Sequence, residues 1–224
     1  MEERVVIVTG AFGKVFVDLA VAHGSLVAAL DYSLEKPTED GTRRLQLGGV
    51  DLTSEEQSHR AMATIVMHFG RIDALINIAG GFAFETVIHG DFHTWKRLYD
   101  LNVVTALNAS RAAIPHLLKS NTARIVNVGA QAALQAGAGM GAYAASKAAV
   151  HRLTESLAAE SKGKITVNAV LPSVIDTPAN RAASPSADFA KWVSPTELAS
   201  VITFLCSSEA SAVTGALLPV VGRL

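Results

Sequence analysis

The 224 residues, half of them hydrophobic and 17% charged, have the size and composition of one globular domain, which we expect to span 1–224; folding buries roughly 70% of the unfolded chain's surface, enough for a core without covalent staples. A lone cysteine, Cys206, excludes a disulfide framework. The near balance of 19 Lys plus Arg against 20 Asp plus Glu, with no basic run, excludes an electrostatic footprint for nucleic acid or an anionic membrane.

In chain order, short apolar runs alternate with longer stretches of helical period. Strands are predicted over residues 4–9, 26–31, 45–51, 72–78, 123–128, 165–171 and 216–221, and helices over 14–23, 54–69, 92–120, 142–162 and 195–207. Most of the strands are continuously apolar rather than alternating, as expected when helices cover both faces of a parallel sheet. Thr53-Ser54-Glu55-Glu56 and Ser194-Pro195-Thr196-Glu197 carry helix-start punctuation. Two long connections remain, 32–44 and 173–194. The second follows a strand's carboxyl end, where open α/β sheets place ligands, and is expected to form a short lid. The amino terminus has no basic region, long apolar run and cleavage site in series, so no signal peptide is expected and the protein is placed in the cytoplasm. The weakly polar stretch 129–150 is Ala- and Gly-rich and interrupted by Gln131, Gln135, Ser146 and Lys147, too feebly apolar to span a membrane.

The first strand runs into Thr9-Gly10-Ala11-Phe12-Gly13 and then a helix, and Asp31 closes the second strand 21 residues after Gly10. Glycines at such a turn permit close backbone approach to a pyrophosphate at a helix N-terminus, although a strand-to-helix turn also carries glycines for steric reasons alone. An acid at the end of the second strand accepts hydrogen bonds from an adenosine ribose diol and repels a 2′-phosphate, favouring NAD over NADP. Lys14 has two readings, a phosphate contact or a solvated first-turn lysine.

Tyr143-Ala144-Ala145-Ser146-Lys147 puts a phenol and an ammonium at i and i+4, on one helical face. A nearby ammonium favours the phenolate and brings it towards working pH, where it exchanges a proton with an alcohol or carbonyl. Together with Thr9-Gly10, Asp31, Asp51-Leu52, Asn77-Ile78-Ala79-Gly80, Asn102, Ile125-Val126-Asn127-Val128, the run from Val167 to Pro172, Thr177 and Thr214-Gly215, the chain resembles the short-chain dehydrogenase/reductase family over essentially its whole length.

That resemblance implies a single-domain α/β Rossmann-like sandwich of three layers with a seven-stranded, mostly parallel sheet, a nicotinamide cofactor, hydride transfer between a secondary alcohol and a ketone, and a homodimer or homotetramer. Carried over by position, Tyr143 is the general acid/base, Lys147 lowers its pKa and holds the nicotinamide ribose, and Asn102 positions a proton-relay water. Thr9, Gly10, Phe12, Gly13, Asp31, Asp51, Leu52, Asn77, Ala79, Gly80, Pro172 and Thr177 line the cofactor, with Asp51 and Leu52 against the adenine and Thr177 at the carboxamide. Asn77 and Asn102 also read as ordinary buried amides.

Three departures stand out. The family's later loop glycines are replaced by Lys14 and Phe16, with Gly13 displaced by one, so a bulky ring is expected where the helix packs against strand and pyrophosphate. The family's catalytic serine, about 13 residues before the tyrosine, is Ala130; Gln131 beside it carries an amide that is a candidate for the substrate-facing donor. The segment after Pro172 is short and is expected to leave the pocket open; within it Arg181 is either an anion contact or a surface arginine. His89, Asp91 and His93 lack further ligands, and no metal is expected. Trp95 and Trp192 belong to a pocket or an interface, and Cys206 to an apolar helix face. The rival to the oxidoreductase reading is a catalytically impaired member of the same fold with a binding or assembly role.

Overall fold

The computed structural model describes residues 3–10, 14–33, 38–39 and 43–224. The apolar runs become β1 (Val5–Thr9), β2 (Leu26–Asp31), β4 (Arg44–Gly48), β5 (Ala74–Asn77), β6 (Arg124–Val128), β7 (Thr166–Pro172) and β8 (Leu217–Val220). These seven are parallel, and a two-residue strand, β3 (Thr38–Glu39), adds antiparallel to β4 at one edge, giving the order β3-β4-β2-β1-β5-β6-β7-β8. The expected seven-stranded parallel sheet is therefore present, with a short edge strand inside the connection 32–44.

Every residue of β1, β5 and β6 is buried, which is why their sequences are continuous rather than alternating. The helices are α1 (Lys14–Ala22), α2 (Glu55–Phe69), α3 (Phe92–Tyr99), α4 (Thr105–Leu117), α5 (Gly141–Glu160), α6 (Pro178–Ala183) and α7 (Pro195–Leu205). One core packs Ile7, Leu75 and Ile125 from the sheet against Met62 and Ile65 of α2, Ala113 of α4 and Leu157 of α5. The other packs Val8, Ile76, Val126 and Val170 against Phe16 of α1 and Ile202 of α7. The result is three layers, helices on both faces of one sheet.

The helix starts legible in the sequence form as capped ends. Ser54 caps α2 by accepting from the Gln57 amide, and Gly70, at φ +82°, closes it. Ser194 and Glu197 form a reciprocal capping box at α7. Glu197 also pairs with Arg223 at 2.7 Å; that hydrogen bond first, then those from Ser194, holds its carboxyl down at about 2. Because the folded-state value lies below the usual 4.5, the contribution is complete above that pH and is lost as pH falls towards 2. Glu197→Gln is thus expected to lower the denaturant midpoint at neutral pH and to flatten its decline between those two values, as read by unfolding curves across the acid range.

The long helix predicted over 92–120 is instead three pieces. Between α3 and α4, residues Asp100–Val104 form a π-helical turn in which the Thr105 amide reaches back five residues to the Asp100 carbonyl. Such wide turns occur frequently at functional sites, and this one contains Asn102. The segment 173–194 is not an unstructured loop either: it holds α6, a 3₁₀ turn at Phe189–Lys191 and a bridge between Ile175 and Val193.

Candidate active site

The strand order reverses between β1 and β5, and the crevice at their carboxyl ends is where an open α/β sheet accepts a ligand. Thr9 ends β1 with its hydroxyl buried, accepting from the amides of Ile78 and Ala79 at 3.1 Å each. This pins the chain leaving β5 against the chain leaving β1. Gly10 follows at φ +88°, and a Cβ there would lie 2.8 Å from the Ala79 Cα, so only glycine lets the two backbones come this close. Ala11, Phe12 and Gly13 lie outside the described residues.

Phe16 does not enter this crevice as a free ring. It is 4% exposed and belongs to the core beneath α1 and α7, where it forms part of the wall of an apolar cavity of about 250 Å³ shared with Ile78, Val128, Ile175, Thr177 and Leu198. The ring sits on the buried face of α1, where Leu198 and Ile202 of α7 belong to the same apolar cluster. A wider, open groove of about 550 Å³ between the lid and α7 includes none of the crevice residues or the Tyr/Lys pair.

The remaining cofactor candidates divide. Asp31, at the end of β2, accepts from the Ser33 amide and hydroxyl through Oδ1, at 2.8 and 2.7 Å, leaving Oδ2 without a partner among the described residues. Asp51 is organised in the same way by Thr53, and its own amide donates to Gln57 Oε1 at 3.0 Å. Leu52 sends its side chain into the core, and its carbonyl accepts from Asn108. Asn77, expected in the cleft, is 4% exposed and donates to Ser110 and Asn127, tying β5 to α4 and β6; its side chain is a structural tie, because the parallel register sets it opposite Asn127. Pro172 is buried at the end of β7. Thr177 caps α6, accepting from the Asn180 amide at 3.2 Å.

Tyr143 and Lys147 stand one turn apart at the start of α5. The Lys147 ammonium is buried, donates to the Val128 carbonyl at 2.8 Å, and lies beside Gly80, where a Cβ would be 3.4 Å from Nζ. Tyr143 is half-buried, and Oη makes no hydrogen bond among the described residues. Burial pushes the phenol up to about 12 and the Lys147 ammonium down to about 8. Both shifts come from desolvation, and the ammonium is directed at the Val128 carbonyl.

Asn102 is 1% exposed, yet all of its bonds point to the site. Oδ1 accepts from the Gly81 amide at 2.8 Å, and Nδ2 donates to the Gly81 carbonyl and to Ser146 Oγ at 2.9 Å. Ser146 in turn donates to the Tyr143 carbonyl. The π turn thus links the loop after β5 to the Tyr143 turn of α5. Ser146 was visible in the sequence only as a small residue between tyrosine and lysine; its bridging role depends on a helix distant in sequence.

At the position of the family's serine, Ala130 is 3% exposed and its amide meets His151 Nε2 at 3.4 Å. His151, a further turn along α5 from Lys147, occupies the space that a side chain at position 129 would fill, since a Cβ on Gly129 would come within 2.5 Å of Nε2. Burial lowers its pKa, so the neutral ring accepts this bond. Gln131 opens a 3₁₀ turn with its Oε1 buried and lacking a partner among the described residues. Arg181 is engaged within the lid, bonding both oxygens of Asp176 at 2.6 and 2.7 Å and lying 4.8 Å over the Phe189 ring, so it is not a free anion contact. Asp91 caps α3 through the His93 amide, and no group of three or more metal-ligating side chains assembles among the described residues. Nor is any helix among them long and apolar enough to cross a membrane.

Comparison with known proteins agrees with this geometry. The short chain dehydrogenase family matches residues 4–188. A 3-oxoacyl-[acyl-carrier-protein] reductase of Thermotoga maritima is 31% identical over all of this chain and 98% of its own length, and a cyclopentanol dehydrogenase of Comamonas testosteroni is 30% identical over 99% and 97%. The ligand-free aldohexose dehydrogenase of Thermoplasma acidophilum superposes with a TM-score of 0.88 at 32% identity, covering 99% of this chain and 94% of the other. A sheet that reverses order at a glycine-lined crevice, with a Tyr/Lys turn set against it, and these full-length matches place the chain in the short-chain dehydrogenase/reductase family of NAD(P)-dependent oxidoreductases.

Proposed function

We propose that the protein interconverts a secondary alcohol and a ketone with NAD(H), Tyr143 serving as general acid/base. The observation that carries the reading is the placement of the Tyr143 turn, through Ser146 and Asn102, against Gly80 and Gly81 at the strand-order switch point. The residues present suit a dinucleotide. Gly10 leaves backbone-close space at the end of β1, Asp31 has one carboxylate oxygen without a partner among the described residues to meet a ribose diol, and there is an apolar cavity lined in part by Ile78, Val128 and Thr177. The bound nicotinamide supplies or accepts the hydride at the carbinol carbon.

The protein's own groups handle the proton. In reduction, Tyr143 Oη gives its proton to the carbonyl oxygen as the new C–H bond forms, and the phenolate regains a proton from solvent; oxidation runs in reverse. Lys147, still largely an ammonium at neutral pH because its pKa is about 8, provides positive charge and a donor beside Gly80. Asn102 holds the backbone on which this arrangement rests, and the water of the proton relay is assigned to its neighbourhood. Asp31 favours NAD over the 2′-phosphorylated cofactor by charge.

Cofactor binding is tested by thermal shift. NADH at about 100 times its dissociation constant adds about 2.7 kcal/mol, which for a chain of this size is expected to raise Tm by about 5–10 °C. NADPH is expected to do less, and Asp31→Asn to narrow the difference. Absence of a shift with either cofactor would remove the basis of the reading.

Ala130 supports a second reading, a family member that binds cofactor but turns over slowly, because its methyl cannot hydrogen-bond a substrate oxygen. Loss of one preorganised donor typically costs about 10²–10³ in rate. Ala130→Ser is expected to raise kcat by about tenfold or more. An unaltered kcat would mean that another group, with Gln131 the candidate, already fills the role.

A further inference from the structure

The loop between β5 and α3 carries an unusual set of side chains for a segment open to water. Phe82 is 58% exposed and Phe84 67%, and both lie close to the reacting end of α5. Phe82 packs edge-to-face on Tyr143, with centroids 5.0 Å apart and planes at 74°. Its position is not accidental, because the preceding residue, Gly81, is held at both its amide and its carbonyl by Asn102. The amide that braces the Tyr143 turn therefore also presents the Phe82 ring to it.

Phe84 is fixed from the opposite side. Its ring lies over Gly139, so closely that a Cβ there would come within 2.4–2.7 Å of three ring carbons, and the Glu85 amide bonds the Gly139 carbonyl at 2.8 Å. This joins the loop after β5 to the stretch that precedes Tyr143. On that stretch Leu134 is also exposed, at 55%. The Tyr143 ring is thus flanked by Phe82, while Phe84 is held against Gly139 in the stretch leading to Tyr143 and Leu134 adds exposed apolar surface to that stretch.

The charges around this approach point the same way. Residues 81–92 and 129–146 contain no lysine or arginine. Glu85 turns its carboxylate inward, Oε1 accepting from the Asp91 amide and Oε2 buried. Arg181 of the lid is already paired with Asp176. A phosphate- or carboxylate-bearing substrate would meet no lysine or arginine within these two stretches, Lys147 beside the phenol already donates to the Val128 carbonyl, and a polyol would set hydroxyls against the Phe82 ring, which offers no hydrogen bond.

We infer that the substrate is an uncharged apolar ring compound, an alicyclic or aromatic secondary alcohol and its ketone, with Phe82 as the specificity-determining wall beside Tyr143. The inference rests on the oxidoreductase reading above and sharpens its substrate class. Flat rings stack or meet edge-on with fixed aromatic walls and lose little torsional freedom on binding, which suits a site whose walls are braced in advance.

The test uses the full-length protein with NADH and four carbonyl compounds: cyclohexanone, butanone, glucose and acetoacetyl coenzyme A. The expected result is a kcat/KM for cyclohexanone about 10² times that for glucose or the anionic thioester. Phe82→Ala is expected to cut the preference for cyclohexanone over butanone about tenfold, mainly through KM, and Phe82→Leu to cut it less. Sedimentation of each variant reports whether Phe82 instead serves contacts between copies. Turnover that depends on Tyr143 but favours glucose or the thioester overturns the substrate assignment and leaves the oxidoreductase reading standing. So does a Phe82→Ala variant that alters association but not the ring preference. No turnover of any of the four would overturn both.

Discussion

Phenylalanine at position 143 is expected to lower kcat by about 10²–10⁴-fold, the usual contribution of a positioned proton donor, while the NADH-dependent rise in Tm persists. The expectation is clean because the hydroxyl has no structural duty: Oη makes no hydrogen bond among the described residues. The ring contact with Phe82 survives the substitution, since it is made by the aromatic faces and edges alone. Lys147 keeps its bond to the Val128 carbonyl, which does not involve the phenol. Steady-state rates with a ketone and NADH, compared with thermal shift on the same sample, separate chemistry from binding. Turnover equal to that of the unaltered protein would show that some other group moves the proton.

Gly80→Ala is expected to damage stability and activity together. A Cβ at this position would stand 2.4 Å from Asn102 Oδ1 and 3.4 Å from Lys147 Nζ. Asn102 cannot swing away cheaply, because the same amide group holds both polar atoms of the Gly81 backbone and reaches Ser146. Either the loop lifts or the amide rotates and breaks these bonds. Overpacking of this kind costs about 1–3 kcal/mol, and a displacement near 1 Å of a positioning group costs about 10² in rate. Denaturant unfolding and kcat are the two readouts. Gly137→Ala is the stability control, as a Cβ there meets nothing within 4 Å, and its effect is expected to stay within about 0.5 kcal/mol. A Gly80→Ala variant as stable and as active as its parent would mean that the loop yields more easily than its bonds suggest.

Much of the architecture was legible from residue pattern because the relevant interactions are local or periodic. Continuous Val/Ile/Leu runs mark strands buried on both faces, and β1, β5 and β6 are buried throughout. The capped starts of α2 and α7 are written in a few adjacent residues. The π turn was not legible: 92–120 keeps a helical period throughout, and the widening at Asp100–Val104 shows only as a change of hydrogen-bond partner. Phe16, placed after the glycines in sequence, packs in the core between α1 and α7 and also walls the apolar cavity with Ile78 and Thr177. Asn77 donates to Asn127 and Ser110, and its bond to Asn127 follows from the register with β6, which sets the two opposite each other.

The sequence by itself determined the parallel α/β class and the pairing of Tyr143 with Lys147, because burial on two faces and an i, i+4 spacing are properties of single segments. Only the tertiary structure decided what surrounds that pair. The Thr9 hydroxyl bonds amides 69 and 70 residues away, Asn102 joins Gly81 to Ser146 across 21 and 44, and His151 occupies the space beside Gly129. Such contacts arise where distant segments are brought together by the packing of helices on a sheet, and a buried donor or acceptor takes the partner that this packing supplies.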